Sequence, residues 1–297
     1  MPILEQKIID THHHLWDISS KKYDWLTLPD NKIMSNTYLI DDLIKDFGNL
    51  KIIKSVHVQA EININEIIYE TEWLQKISET NNKGYPHGII GFVDFMDPEV
   101  EKKLQKHLFF LNFRGVRQIL KFDKNNNKIS HAKINYLKND KWLNNFSLMQ
   151  KYNLSFDLLI LWSQTEDAVK LINRYPNVLF IINHTLSPIS INKQTLNEWH
   201  NKIKLLSSCD NAVIKLSGFG EFNSLWNEIS IRPLILHSIE EFGIERCMFG
   251  TNFPVDKFLS PPSYFDYWNN YYNIVKDFNN EEKNKLFYLN AEKYYKI

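Results

Sequence analysis

Residues 10–17 read Asp-Thr-His-His-His-Leu-Trp-Asp, and they end the first apolar run of the chain, Lys7–Leu15. Side chains of a β-strand alternate between its two faces, so a strand here points His12 and His14 to one side and His13 to the other. Two imidazoles on one face at the C-terminal end of a strand can form half of a metal site. They need partners from elsewhere in the chain.

Seven further runs of apolar, β-branched or aromatic residues follow the first. Near-continuous hydrophobicity within each run predicts parallel strands that are covered on both faces. The eight predicted strands are Lys7–Leu15, Lys54–Ala60, His87–Phe95, Phe113–Leu120, Leu154–Ile160, Val178–His184, Ala212–Gly218 and Cys247–Phe253.

Segments with apolar residues at helical spacing separate these runs. They are Leu39–Phe47, Ile64–Ile77, Pro98–Leu111, Trp142–Tyr152, Thr165–Tyr175, Leu196–Leu206, Pro233–Phe242 and Tyr264–Phe278, with a last helix over Glu281–Tyr295. This alternation predicts an α/β fold, a (β/α)8 TIM barrel in a single domain over residues 1–297 with long strand-to-helix loops. An open doubly wound sheet is the alternative, although no glycine-rich phosphate loop follows the first strand.

The charge balance and the two cysteines limit the class of protein. Lys and Arg number 35 and Asp and Glu number 35, so the formal net charge is zero and nothing indicates a nucleic-acid or membrane-surface partner. Cys209 and Cys247 are far apart, which fits a reducing compartment without a disulfide framework. No signal-peptide pattern and no apolar run of roughly 18 residues is present, so we expect a cytoplasmic protein. The oligomeric state, a homo-oligomer included, is left open.

In a barrel the C-terminal ends of all strands meet at one face, where binding sites form. Polar residues at those ends are His12, His14, Gln59, Glu61, Arg117, Asp157, His184, Lys215 and Asn252. Three long segments, 16–37, 122–138 and 254–263, also follow predicted strands. The first contains Trp16 and Trp25, and it forms either an aromatic wall or lid or a plain Ω-loop packed on its own side chains.

Several of these residues have two interpretations when taken alone. His184 is a ligand or a hydrogen-bonded structural group. Lys215 is a catalytic cation or one half of a buried ion pair. Arg117 either clamps a carboxylate in a forked geometry or pins a neighbouring strand through Asp157.

Eight stretches taken together resemble one family. They are DTHHHLWD (10–17), HVQAE (57–61), GFVDF (91–95), FRGVRQIL (113–120), NH (183–184), IKLSGFG (214–220), MFGTNFPVD (248–256) and LNAEKYY (289–295). Their order is similar to that of the lactonase-like branch of the amidohydrolase superfamily, which includes L-fuconolactone and L-rhamnonolactone hydrolases and 2-pyrone-4,6-dicarboxylate lactonase. The resemblance spans essentially the whole chain.

The resemblance implies a hydrolase that opens a small polar lactone, such as a sugar lactone, by attack of water on the carbonyl. His12, His14 and His184 form the electrophilic centre, either as ligands of one divalent metal such as zinc or without metal. Lys215 and Arg117 are expected to bind the carbonyl or a carboxylate. Gln59, Glu61, Trp16 and Trp25 are expected to contact the small-molecule substrate, and no organic cofactor is implied.

One position departs from the family pattern. The strand-8 aspartate of the family falls on Asn252, and a neutral amide cannot take a proton from water. Asp256, Asp10 and Glu61 are the candidate replacement carboxylates, Asp10 because it lies two residues before His12 on the same predicted strand face. Alternatively, Asn252 or Asp256 positions the water. The departure keeps two rival functions open: a decarboxylase or lyase of the same superfamily, and a ligand-binding barrel that has lost catalysis.

Overall fold

The computed structural model describes residues 2–187 and 193–297. The predicted domain, 1–297, therefore includes residues 1 and 188–192, which lie outside the described part. Eight parallel strands form one sheet in chain order, each paired with the next. They are β1 Ile8–His13, β2 Ile52–Val58, β3 Gly88–Gly91, β4 Phe113–Val116, β5 Ser155–Leu158, β6 Phe180–Ile182, β7 Ala212–Leu216 and β8 Cys247–Phe249.

The sheet closes between its first and last strands. His13 forms a parallel bridge with Phe253, and the His14 amide donates to the Phe253 carbonyl over 2.7 Å. The Asn252 amide donates to the His12 carbonyl over 2.7 Å. The predicted (β/α)8 barrel is therefore confirmed, and the open doubly wound sheet is wrong.

Helices alternate with the strands as predicted, with some differences in their bounds. They are α1 Ile40–Phe47, α2 Ile67–Thr80, α3 Val100–His107, α4 Asp140–Asn145, α5 Ser147–Lys151, α6 Thr165–Arg174, α7 Lys193–Ser207, α8 Phe219–Phe222, α9 Glu228–Phe242, α10 Val255–Leu259, α11 Tyr264–Ile274, α12 Asn280–Asn284 and α13 Asn290–Tyr295. A π-helical turn, Lys285–Leu289, joins the last two.

Two differences between predicted and observed helices have a local cause. Helix α9 begins earlier than Pro233 because the Asn227 side chain caps it, accepting from the Ser230 amide. The predicted Trp142–Tyr152 helix is two short helices, which meet at Phe146. Helices α8 and α10 were not predicted, and both lie directly after a strand, at the face where sites form.

The strands end earlier than the apolar runs from which they were predicted. Residues such as Arg117 and Asn183 continue past the ladder, with their amides still donating to the carbonyls of Gly91 and Leu158. His184 and Asn252 then adopt φ values of +56° and +65°, in the left-handed region. The chemistry-bearing residues therefore sit on strand extensions that turn away from the sheet.

An apolar cluster fills the inside of the barrel below these residues. Tyr295 of α13 packs into it from the lower end, and its other buried members are Val56, Val58, Ile90, Ile181, Val213 and Met248. Because apolar side chains exclude water there, polar groups above the cluster must bond one another. Among the described residues, no helix has the length and apolar character needed to cross a membrane.

Candidate functional site

A cavity of about 220 Å³ opens at the C-terminal end of the barrel. All of its lining residues follow strands: His14, Trp16, Trp25, Ala60, Glu61, Arg117, Ile119, Lys121, His131, Leu159, Glu221 and Val255. Five of the residues predicted from the sequence are in this set: His14, Trp16, Trp25, Glu61 and Arg117. The other eight are buried behind the lining: Asp10, His12, Gln59, Asp157, His184, Lys215, Asn252 and Asp256.

The three predicted imidazoles lie together beneath the cavity. The ring centroid of His12 is 5.1 Å from that of His14 and 4.5 Å from that of His184. His13 turns to the opposite side of β1, where its Nε2 is 3.0 Å from Ser55 Oγ. The alternation of a strand thus brings His12 and His14 to one side, and barrel closure adds His184.

His12 lies between two cationic side chains. Lys215 Nζ is 3.3 Å from His12 Nδ1, and Arg117 Nη1 is 3.4 Å from His12 Nε2. Burial, followed by Lys215, holds the pKa of His12 well below its usual range, so the ring is neutral. A neutral imidazole has one acceptor nitrogen, and it cannot accept hydrogen bonds from both cations at once.

Lys215 is part of a buried ion pair inside the barrel. Its Nζ is 2.5 Å from Asp157 Oδ1 and 3.1 Å from the Thr11 carbonyl. Asp157 also accepts from Asn183 Nδ2 over 2.9 Å. Lys215 does not line the cavity, so its contact with the site goes through His12.

Arg117, after β4, contacts the backbone of the β2 extension, two strands away, rather than Asp157. Its Nη2 donates to the Gln59 carbonyl over 2.7 Å. Its buried Nε has no hydrogen-bond partner among the described residues. Arg117 lines the cavity, so its guanidinium can donate to a bound ligand there.

Asn252 is fixed in one orientation by two carboxylates. Its Nδ2 donates to Glu221 Oε1 over 3.0 Å and to Asp256 Oδ1 over 2.8 Å. This directs its Oδ1 to His14 Nε2, 3.2 Å away. His14 Nδ1 is 2.7 Å from the Val58 carbonyl. Burial and then Arg117 lower the pKa of His14, and the neutral ring has a hydrogen for only one of these two oxygens.

Two candidate replacement carboxylates belong to structural networks outside the cavity. Asp256 Oδ2 accepts from the Gly220 amide over 2.8 Å and from the Tyr267 hydroxyl over 2.5 Å. Burial raises the pKa of Asp256 to about 7, against the hydrogen bond from Tyr267. Asp10 accepts from the Thr251 hydroxyl over 2.6 Å and from the Tyr264 hydroxyl over 2.9 Å.

The prediction that Asp10 shares a strand face with His12 is wrong. The pairing of β1 with β2 is irregular between Asp10 and His13, which breaks the alternation of two residues. Asp10 therefore contacts Tyr264 of α11 while His12 contacts Lys215 inside the barrel.

Glu221 was missed by the sequence analysis, and it presents a carboxylate to the cavity. Its Oε1 is 3.6 Å from His184 Nε2, and its Oε2 is 3.3 Å from Lys121 Nζ. Burial opposes ionisation, but Lys121, His184 and the Asn252 hydrogen bond together lower the pKa of Glu221 to about 2. One signal in the sequence could have identified it: Glu221 directly follows Gly220, the last residue of the quoted motif IKLSGFG (214–220).

The rim of the cavity holds a second carboxylate. Glu61 Oε2 is 2.6 Å from Nε2 of His131, a residue of the long segment after β4 that the sequence analysis did not select. Gln59 does not reach the cavity; its Nε2 donates to Glu61 Oε1 over 2.6 Å and so orients that carboxylate.

Trp16 and Trp25 form an aromatic wall, which is one of the two interpretations given above for the loop after β1. Their rings meet edge to face at 5.6 Å. The indole N–H groups donate to the Asn36 and Ala60 carbonyls. Both rings are therefore fixed before any ligand enters.

His184 depends on a glycine beside it. A Cβ on Gly218, which has a φ of +70°, would lie 2.2 Å from His184 Nδ1. The ring therefore lies against bare backbone, where its Nδ1 reaches Ser217 Oγ at 3.0 Å. Its buried Nε2 has no hydrogen-bond partner in the described part of the chain.

The three histidines, as arranged, do not fit a divalent cation. Two positive side chains face the ring nitrogens of His12, and the amide oxygen that faces His14 carries no charge. A cation placed there would meet Arg117 and Lys215, and Glu221, the carboxylate beside His184, is already paired with Lys121 and Asn252. Within the described residues, no group of three or more His, Cys, Asp or Glu side chains is arranged to hold a metal ion.

Comparisons with curated proteins give two relatives. One is the uncharacterized protein y4mH of Sinorhizobium fredii, 34% identical over 297 residues that cover 98% of each chain. The other is the L-fucono-1,5-lactonase of Burkholderia ambifaria, 20% identical over 265 residues that cover 84% of this chain and 81% of the relative.

Solved structures share the fold. An amidohydrolase from Burkholderia multivorans with bound zinc has a TM-score of 0.83 at 19% identity, covering 98% of this chain and 99% of its own. A probable 2-pyrone-4,6-dicarboxylic acid hydrolase from Acinetobacter baumannii, with citric acid bound, has a TM-score of 0.76 at 16% identity and the same coverage. A 2,6-dihydroxybenzoate decarboxylase has a TM-score of 0.62 at 12% identity, covering 98% and 99%.

The family assignment comes from the sequence itself. The family profile described as Amidohydrolase matches residues 9–297, which is nearly the whole chain. The resemblance seen in the ordered motifs is thereby confirmed, and the chain belongs to the amidohydrolase family.

Proposed function

We propose that this protein is a hydrolase that opens a small polar lactone by attack of water on the ring carbonyl. The family and the similarity to an L-fucono-1,5-lactonase and to 2-pyrone-4,6-dicarboxylic acid hydrolases support this reaction class. The observation that carries the proposal is the guanidinium of Arg117, a cationic donor on a residue that lines the cavity.

Arg117 suits the oxygen that gains negative charge when water adds to a carbonyl. Donors that are already oriented in a water-poor site stabilise such an oxyanion without reorganising during the reaction. Its Nη2 bond to the Gln59 carbonyl and its contact with His12 hold the guanidinium in place.

The remaining lining residues suit a small ring that carries hydroxyl groups. Trp16 and Trp25 offer fixed aromatic surface to one side of the ring. Glu61 and His131 offer an acceptor and a donor at the rim. A cavity of about 220 Å³ holds one such ring rather than an extended chain. The substrate class supported by these contacts is a sugar-lactone-like cyclic ester.

A lactone panel tests this function. L-fucono-1,5-lactone is the first substrate to test, and other sugar lactones come next. Ring opening is measured in a pH-stat as the release of acid. Arg117→Met is expected to lower kcat by a factor of about 100 or more, because one oxyanion donor is worth roughly that much. Arg117→Lys is the matched control that keeps the charge and is expected to retain more activity.

The panel also separates the rival functions. Absence of turnover for every lactone, with and without added zinc, would refute the proposal. Release of carbon dioxide from an aromatic acid by the same preparation would then favour the decarboxylase alternative. Ligand binding without any turnover would favour a barrel that has lost catalysis.

Chelation tests the zinc question separately. Because the histidine donors do not fit a divalent cation, the lactonase rate is expected to change less than twofold after treatment with dipicolinate and removal of the chelator. A loss that added zinc restores would show that metal assists the reaction after all.

A further inference from the structure

The contacts of Asn252 explain why an amide occupies this position. Its Nδ2 group is the shared donor between Glu221 Oε1 at 3.0 Å and Asp256 Oδ1 at 2.8 Å. An aspartate here would place a third carboxylate within about 3 Å of the other two, and like charges that close cannot all ionise. Both carboxylates also accept a hydrogen from Nδ2, which an aspartate lacks, so the geometry favours an amide, and Asn252 is not by itself a sign of lost function.

Glu221 is the carboxylate that this amide holds at the cavity. Asp10 and Asp256 are buried and accept hydrogen bonds from the hydroxyls of Tyr264 and Tyr267, respectively. Glu61 is paired with His131 at the rim. Among these four, Glu221 both lines the cavity and adjoins a histidine of the buried cluster, with Oε1 3.6 Å from His184 Nε2.

We propose that Glu221 is the general base of this enzyme and that Asn252 is its positioning residue. This inference rests on the proposed lactonase function and names the group that activates water. The carboxylate takes one proton from water as the water oxygen bonds to the lactone carbonyl carbon. The acid so formed returns that proton to the ring oxygen as the carbon–oxygen ester bond breaks, so lactone and water give a hydroxy acid.

Lys121 sets the state of the base before reaction. Its Nζ lies 3.3 Å from Glu221 Oε2 and keeps the carboxylate ionised, which is the form that can accept a proton. A carboxylate held this way is a weak base. The step therefore needs Arg117 to draw negative charge onto the carbonyl oxygen while water attacks, and both residues line the same cavity.

Removal and chemical replacement of the carboxylate test its role. Glu221→Ala is expected to lower kcat for L-fucono-1,5-lactone, or the best lactone of the panel, by a factor of about 100 to 10,000, the usual range for a general base. Added formate, which fits the vacated space, is expected to restore activity with a saturable dependence on concentration. Glu221→Gln keeps the volume, and formate is expected to have no effect on it. Glu240→Ala, at an exposed glutamate far from the cavity, is the control.

A change of nucleophile provides a readout that a structural role would not affect. Hydroxylamine attacks carbonyls with less help from a base than water needs, so hydroxamate formation by Glu221→Ala is expected to fall less than tenfold. Hydrolysis by Glu221→Gln within tenfold of the wild type would overturn the proposal. An equal loss of hydrolysis and hydroxamate formation in a folded Glu221→Gln protein would overturn it as well.

Asn252→Asp tests the positioning residue. Repulsion among three carboxylates is expected to lower kcat by more than tenfold with little change in KM, and formate is not expected to restore it because Glu221 still fills its place. A gain in hydrolysis would overturn the proposal. A wild type that opens no lactone refutes the proposed function itself, whereas an active wild type with an active Glu221→Gln refutes only this inference.

Discussion

Two lysine–carboxylate pairs occupy the upper half of the barrel, and they differ in burial and in contacts. Lys215 and Asp157 are 2.5 Å apart with both side chains fully buried. Lys121 and Glu221 are 3.3 Å apart with 18% and 26% of their side chains exposed. The inner pair bonds Thr11 and Asn183 beneath the histidines, while the outer pair lines the cavity.

This difference separates residues that hold the site from residues that meet the substrate. An ion pair without water cannot lose one partner without leaving a buried charge, so its position is fixed. An ion pair at a cavity wall can exchange partners with water or a ligand at small cost. We therefore expect the inner pair to determine stability and the outer pair to determine activity and its pH dependence.

The largest expected effect comes from breaking the inner pair. Lys215→Met leaves Asp157 charged and unpaired, and we expect the free energy of unfolding to fall by about 3–5 kcal/mol. Urea denaturation followed by tryptophan fluorescence measures this. The double variant Lys215→Met with Asp157→Leu is expected to recover part of the loss because no buried charge remains. A single variant as stable as the wild type would contradict the assignment of a structural role.

Breaking the outer pair is expected to leave stability nearly unchanged. Lys121→Met should alter the free energy of unfolding by less than about 1 kcal/mol, the usual worth of a partly exposed pair. Removal of the ammonium raises the pKa of Glu221, because Lys121 is the strongest influence that lowers it. The acidic limb of the kcat/KM profile is therefore expected to move to higher pH. Lys121→Arg keeps the charge, and an unmoved limb in Lys121→Met would contradict the coupling.

A third expected effect concerns Asp256, the second carboxylate that accepts from Asn252. Burial raises its pKa from 3.8 to about 7, so the folded protein holds a proton there that the unfolded chain has lost. This contribution to stability is complete below pH 3.8 and disappears as the pH rises through about 7. Asp256→Asn cannot titrate, and its unfolding free energy should fall less than that of the wild type between pH 5 and 8, by roughly 3 kcal/mol, because about two pH units of that range lie below the raised pKa. Parallel curves for both proteins would contradict the raised pKa.

The order of strands and helices followed from hydrophobic periodicity, because parallel strands covered on both faces leave long apolar runs. The residues at which those strands end could not be predicted from this periodicity. Residues such as His184 and Asn252 are apolar-run residues by sequence, but their left-handed backbone takes them out of the sheet. A pattern of residue types contains no information on that change of φ.

The site was partly predictable for a related reason. Strand alternation and barrel closure were sufficient to bring His12, His14 and His184 together. Alternation failed at Asp10, because the irregular pairing of β1 with β2 is not visible in the residue pattern. Glu221, Lys121 and His131 lie in loops or a four-residue helix, where no period fixes the direction of a side chain.

The closure of the barrel has a consequence for biosynthesis. The backbone bonds of His12 and His14 to Asn252 and Phe253 join residues that are far apart in the chain. A nascent polypeptide emerging from the ribosome therefore exposes an unpaired edge on its first strand until Asn252 and Phe253 have been translated. Such an edge can pair with other chains, so we expect truncated translation products of this protein to aggregate and to depend on chaperones.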